Sequence, residues 1–143
     1  MNPSTNEILN RLLVLHERSL PVYLSFAATE YIDKSPRIGQ VFRHMAADHL
    51  RTVDRLGTLI LDNHATVDHG KFPMSFTSLH DLSAEYLLKL MIERQEKVIT
   101  AIEQLAEMLS HAPYAQAAAR EALGEAKGHL ENLQEAATAP KAA

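Results

Sequence analysis

Residues 36–62 read PRIGQVFRHMAADHLRTVDRLGTLILD, and apolar residues recur through them every three or four positions. This spacing predicts an α-helix from Pro36 to about Asp62 with one apolar face. The face comprises Ile38, Phe42, Met45, His49, Val53, Leu56 and Ile60, so it is interrupted by a single polar residue. Helical spacing recurs through nearly all of the chain, and the sequence therefore predicts an all-α fold.

Turn residues divide the rest of the chain into three more long helices. Ser4 followed three residues later by Glu7 is a capping box that opens the first helix. Pro21 lies inside this helix, where it removes a backbone hydrogen bond and predicts a kink. Ser35 is expected to cap the second helix, with Pro36 in its first position. The predicted bounds are Thr5 to Ile32, Pro36 to Asp62, Ser78 to Leu109 and Pro113 to Ala137.

The lengths of the connections predict how the helices run. The first and third turns are short, so the helices that they join form antiparallel hairpins. The middle link, at about residues 63–77, could span roughly 50 Å when extended, and a helix of this size is only ~40 Å long. The link can therefore cross the whole molecule. We predict a four-helix bundle with one long crossover between its second and third helices.

Composition excludes several classes of function. The chain has no cysteine, which removes disulfides, thiolate metal sites and cysteine nucleophiles. Fourteen Lys and Arg against eighteen Asp and Glu argue against nucleic-acid partners. No apolar run of membrane-spanning length, signal peptide or nucleotide fingerprint occurs, so we expect a cytoplasmic protein with no membrane partner and no organic cofactor. The 143 residues fit one domain at 1–137 with a flexible tail at 138–143.

A nitrogen-bearing polar residue interrupts the apolar face of each predicted helix: His16, His49, Gln95 and His129. At ~1.5 Å per residue, they lie about 16, 20, 21 and 24 Å from the end at which the first helix begins. Three imidazoles and an amide at one level would satisfy one another, enclose a water or hold a cation. Zinc, iron and copper are the candidate ions, and copper is included because Met45 and Met91 lie nearby on the same faces.

With these features the chain resembles the ferritin-like superfamily, whose four-helix bundles hold di-iron or di-manganese carboxylate sites. The resemblance covers about residues 5–137 and depends on His49-Leu50, His129-Leu130 and the placing of His16 seven residues before Tyr23. The family's Glu-x-x-His motif has Ala46 and Ala126 in place of its two glutamates. Its glutamate on the third helix corresponds to Gln95 by helical phase or to Glu96 by spacing.

Two functions remain open at the level of sequence. The first is a ferritin-like bundle that binds one transition metal ion through His16, His49 and His129, with Gln95 or Glu96 as a further donor and a redox or metal-handling role. The second is a metal-free ferritin-like relic that serves as a structural or interaction module. A small-sided fourth helix predicts a homodimer in both cases.

Overall fold

The computed structural model describes residues 3–27, 35–79 and 82–138, and most of these residues are helical while none forms a β-strand. The all-α prediction is thereby confirmed. The described helices are α1 (Thr5–Glu17), α2 (Leu20–Ala27), α3 (Pro36–Asp62), a 3₁₀ turn (Met74–Leu79), α4 (Ala84–Glu107) and α5 (Pro113–Thr138).

The capping hydrogen bond from a serine side chain is present at one of the two predicted helix starts and absent at the other. At α1, the Ser4 hydroxyl accepts a hydrogen bond from the Glu7 amide at 3.2 Å, as the capping box requires. At α3, Pro36 takes the first position, but the Ser35 side chain makes no capping hydrogen bond. Ser35 therefore occupies the predicted N-cap position, and its carbonyl accepts from the Gly39 amide at 2.9 Å, but the capping hydrogen bond expected of its side chain is absent.

The first predicted helix is two helices rather than one. α1 ends at Glu17 and α2 begins at Leu20, so the continuous helix expected from Thr5 is wrong, although the expected disturbance at Pro21 is present. Pro21 has no N–H to donate to the Glu17 carbonyl, and its ring crowds that carbonyl. The predicted end at Ile32 lies outside the described residues.

The predicted start of the third long helix at Ser78 is also wrong. Residues from Met74 to Leu79 form a 3₁₀ turn that buries Phe76, and α4 begins only at Ala84. The Ser83 hydroxyl caps α4 by accepting a hydrogen bond from the Tyr86 amide at 3.2 Å. Thr138 continues α5 into the predicted tail, and residues 139–143 lie outside the described chain.

Side-chain contacts give the direction of each helix pair. Three of them join α3 and α5 in an antiparallel sense: Arg37 to the Ala136 carbonyl, Thr52 to Glu125, and Arg55 to Glu121. Along α4 and α5, Gln95 reaches Ala126 and Ala106 reaches Gln116, which is again antiparallel. α1 runs against α3, because Asn6 contacts Asn63 while His16 contacts His49.

The segment after α3 lies along α1 and α2. Asn10 exchanges two hydrogen bonds with the Asp68 backbone, and further on the Arg18 side chain donates to the His69 carbonyl. Tyr23 of α2 then packs against Phe72 and Phe76. Residues 63–79, hereafter the crossover segment, thus run from the start of α1 to α2.

Two apolar clusters fill the interior, one toward each end of the helices. The first contains Leu9, Leu13, Leu56 and Ile102, and the second contains Leu24, Phe42, Met45, Leu87 and Met91. On every long helix the residues of one cluster end where those of the other begin. The predicted polar positions lie at these boundaries, so a polar level separates two apolar cores.

Candidate functional site

Six buried polar side chains form the boundary between the two apolar clusters. They are His16, Ser19, Asp48, His49, Gln95 and His129, here called the polar layer, and none exposes more than 8% of its surface. Within the described chain, these are all of the buried polar and charged residues. Polarity in this core is therefore concentrated at one level rather than scattered.

His16 is held in one orientation by its own helix. Its Nδ1 lies 2.7 Å from the Leu12 carbonyl oxygen, four residues earlier on α1. A carbonyl only accepts hydrogen bonds, so Nδ1 carries the proton and the lone pair of the neutral ring resides on Nε2.

His49 owes its polar partner to the break between α1 and α2. Ser19 lies in that break, and its Oγ is 2.8 Å from His49 Nδ1 in a hydrogen bond. The His49 ring meets the His16 ring edge-on, with 5.1 Å between their centres. Pro21 thus has a consequence beyond the kink, since the break that it causes places a hydroxyl in the polar layer.

His129 is close to a carboxylate but lacks an aligned hydrogen bond. Its Nε2 lies 3.0 Å from Asp48 Oδ2, yet this nitrogen is fully buried and has no hydrogen-bond partner of acceptable geometry. The Asp48 carboxylate forms an ion pair with Arg51 and lies 3.6 Å from His44 Nε2. Arg51 and His44 are exposed, so Asp48 connects the buried layer to the surface.

Burial keeps the three imidazoles neutral. It lowers the pKa of His49 to about 3, with smaller contributions from the charges of His16 and His129. Burial likewise lowers the pKa of His129 to about 4, assisted by His44 and Arg51. The pKa of His16 is also lowered, chiefly by burial. At neutral pH each ring therefore retains a lone pair that can bind a cation.

The two candidates for a further donor, which are neighbours on α4, differ in burial. Gln95 is buried, and its amide donates to the Ala126 carbonyl at 2.9 Å, which links α4 to α5. Glu96 is exposed to solvent. Gln95 therefore belongs to the layer as a helix-to-helix contact, while Glu96 faces away from the imidazoles.

The layer does not fit a dinuclear carboxylate centre. Ala46 and Ala126 are buried where the ferritin-like motif has glutamates, so two of the required carboxylates are missing. Among the described residues, no three His, Asp or Glu side chains are already arranged to hold a metal ion. Met45 and Met91 belong to the second apolar cluster.

Sequence reasoning missed two members of the layer. Ser19 lies on the apolar face of the first predicted helix, and nothing in the sequence around it indicated a polar contact in the core. Asp48 did carry one, because His44 and Asp48 are four residues apart and share a helix face.

Comparison with known proteins gives no family assignment. No protein-family model matches the chain, and no curated protein or solved structure shows a significant similarity to it. Within the described residues, no helix combines the length and apolar character needed to cross a membrane. The polar layer is therefore the feature from which a function is inferred.

Proposed function

We propose that this chain is a ferritin-like four-helix bundle that binds one transition metal ion in its polar layer through His16, His49 and His129. The antiparallel pairing of α3 with α1 and of α4 with α5 supports the bundle, as does the crossover segment along α1. In this arrangement α1 and α2 together count as the first helix of the bundle.

The observation that carries the metal proposal is the unpartnered nitrogen of His129. Leaving a buried polar atom without a hydrogen bond costs ~1–3 kcal/mol, and such groups are rare in folded proteins. A cation bound by Nε2 would remove this cost. The nearby Asp48 carboxylate would supply the negative charge that a divalent ion requires.

The orientation of the other two rings supports the same conclusion. Metal-ligating histidines generally donate their second ring N–H to a carbonyl or another fixed acceptor. His16 does so to the Leu12 carbonyl, and the Ser19 hydroxyl offers the equivalent acceptor to His49. Three neutral imidazoles with one carboxylate favour zinc or iron over copper(I), which prefers sulfur ligands. Binding requires the three rings to move toward a common point, because their nitrogen atoms are not yet arranged to coordinate one ion.

Elemental analysis tests the proposal directly. We expect tag-free protein, stripped with chelator and then incubated with zinc or iron(II), to retain about one equivalent after desalting. It should also gain ~2.7 kcal/mol in unfolding free energy at a free metal concentration 100-fold above Kd. The His49→Gln/His129→Gln variant should lose both effects, and Glu96→Gln should retain them. Wild-type protein that stays empty and unstabilised with zinc, iron(II) and copper would overturn the proposal.

A metal-free relic, acting as a dimeric structural or interaction module, is the second candidate. Hydrogen bonds made by the layer favour it, because His49 joins α3 to Ser19 and Gln95 joins α4 to α5, and these contacts already fix the register of those helices. Under this alternative, His49→Leu would match or exceed the stability of the wild type, and chelator would have no effect. Light scattering on the purified chain tests the homodimer that we propose in both cases.

A further inference from the structure

A pocket of about 420 Å³ opens where the α1–α2 break meets α3 and the crossover segment. This volume lies within the range of small-molecule sites. The pocket is distinct from the polar layer, but the two share one residue, Ser19.

The walls of the pocket are apolar and largely aromatic. Phe26 and Phe72 line it while exposing 77% and 43% of their surfaces, and Leu50 is 38% exposed. Phe76 closes the floor and is held in place by Tyr23, at 5.5 Å between ring centres, and by Arg94 on its ring face. Exposed aromatic side chains that converge on a concave site indicate ligand binding more strongly than the same residues scattered singly.

The charged groups at the rim, Glu17 and Arg18, carry opposite signs and both contact His69. Glu17 accepts a hydrogen bond from His69 Nδ1 at 2.7 Å, and the Arg18 side chain donates to the His69 carbonyl at 3.0 Å. Because the acidic Glu17 and the basic Arg18 both line the rim, an ionised ligand would meet a like charge beside the opposite one, and it would also lose hydration in an apolar pocket.

The Ser19 hydroxyl lies between the pocket and the polar layer and can take a second hydrogen-bond partner. A hydroxyl has one donor and two acceptor positions, and only one of these is used by His49 Nδ1. If His49 donates, then Ser19 can donate into the pocket; if His49 accepts, then Ser19 can accept from it. A ligand hydroxyl group satisfies both cases, because it can accept or donate.

We propose that this pocket binds a small uncharged aromatic alcohol of the phenol class. The ligand ring lies between Phe26, Leu50 and Phe72, and its hydroxyl group forms a hydrogen bond with Ser19. The inference does not depend on a bound metal, and its test is made with chelator present so that it stands apart from the metal proposal.

The test compares p-cresol with p-xylene, in which a methyl group replaces the hydroxyl. Each is titrated into ¹⁵N-labelled full-length protein, and the amide shifts of residues 17–26 are followed. We expect saturable binding of p-cresol at millimolar concentration or below, and binding of p-xylene that is about five- to tenfold weaker because the hydrogen bond is lost.

Two variants and a control locate the ligand. Ser19→Ala should reduce the preference for p-cresol over p-xylene to about twofold or less, and Phe72→Ala should weaken both ligands at least fivefold. Met74 belongs to the same crossover segment, is 70% exposed and does not line the pocket, so Met74→Ala should change neither affinity. Absence of saturable p-cresol shifts, equal affinity for both ligands, or insensitivity to Phe72→Ala would overturn the proposal.

Discussion

Acid should destabilise this protein well before its carboxylates titrate, because its buried histidines resist protonation. In the unfolded chain a histidine has a pKa of ~6.5. In the folded chain the pKa is lowered to about 3 at His49 and about 4 at His129. Between these limits the unfolded state binds protons that the folded state does not. Stability therefore falls as pH drops below ~6.5, and the loss is complete only below the folded pKa values.

The size of the effect follows from ~1.36 kcal/mol per pKa unit. At pH 5 the unfolded chain is protonated at both positions and the folded chain at neither. From pH 7 to pH 5 each residue should thus remove ~2 kcal/mol, or ~4 kcal/mol for the pair, and His16 acts in the same direction. A loss of this size is a large part of the 5–15 kcal/mol by which domains are stable.

Urea unfolding at pH 7 and pH 5, with chelator present, measures this loss. His49→Gln should reduce the difference between the two pH values by ~2 kcal/mol. The control is His64→Asn, because His64 is exposed and its φ of 61° suits asparagine. If both variants lose as much stability on acidification as the wild type, burial of His49 is not the cause and the reasoning is refuted.

Two further predictions concern stability at pH 7 and use the same urea assay. Gly70→Ala should destabilise the protein by ~1–3 kcal/mol, because Gly70 has φ +69° and the new Cβ would lie 2.7 Å from Val14 Cγ1. Gly124→Ala is its counterpart on α5: no atom lies within 4 Å of the added methyl, so we expect a gain of ~0.5–1 kcal/mol. A gain or no change at Gly70→Ala would contradict the first statement, and a loss at Gly124→Ala would contradict the second. Asp48→Asn should cost ~1–3 kcal/mol, since it removes the buried charge that Arg51 pairs with, and a change below ~0.5 kcal/mol would show that this ion pair is not stabilising.

The level of the polar layer was predictable from the sequence because helix rise is constant. Counting residues from the helix ends placed His16, His49, Gln95 and His129 close to one height, and the structure finds them together between two apolar clusters. Helical periodicity also predicted α3 and α5 nearly to the residue. These are properties of single helices, and they need no knowledge of neighbours.

The contacts of Asp48 were not predictable in the same way. Asp48 immediately precedes His49 in the sequence, and the two side chains are about 100° apart around the helix axis. Its burial depends on α5 covering that flank of α3, which periodicity along one helix does not reveal. Ser19 is similar: within an unbroken helix a serine hydroxyl commonly bonds its own backbone, and only the break turns it toward His49.

The start of α4 could not be predicted from the sequence for a different reason. Ser78 and Ser83 both have the chemistry of an N-cap, so local sequence offers two starting points. The structure uses Ser83, and the residues before it form a 3₁₀ turn that buries Phe76 in the second apolar cluster. Tertiary packing therefore decides between two equivalent caps.

The crossover segment has a consequence for the order in which the chain assembles. Its hydrogen bond from Asn10 to the Asp68 carbonyl joins residues 58 positions apart, whereas Gln116 and Ala106 in the α4–α5 hairpin are only 10 apart. Closing a long loop costs more chain entropy, so we expect the α4–α5 hairpin to form early and the crossover segment to dock late. Most residues of 63–73 are exposed and outside any helix, so this part should also open first in the folded protein, and its amide exchange should be faster than in the middle of α4. The segment that carries Phe72 into the pocket wall would then be the least cooperative part of the fold, and its local release would enlarge the pocket without any opening of the helices.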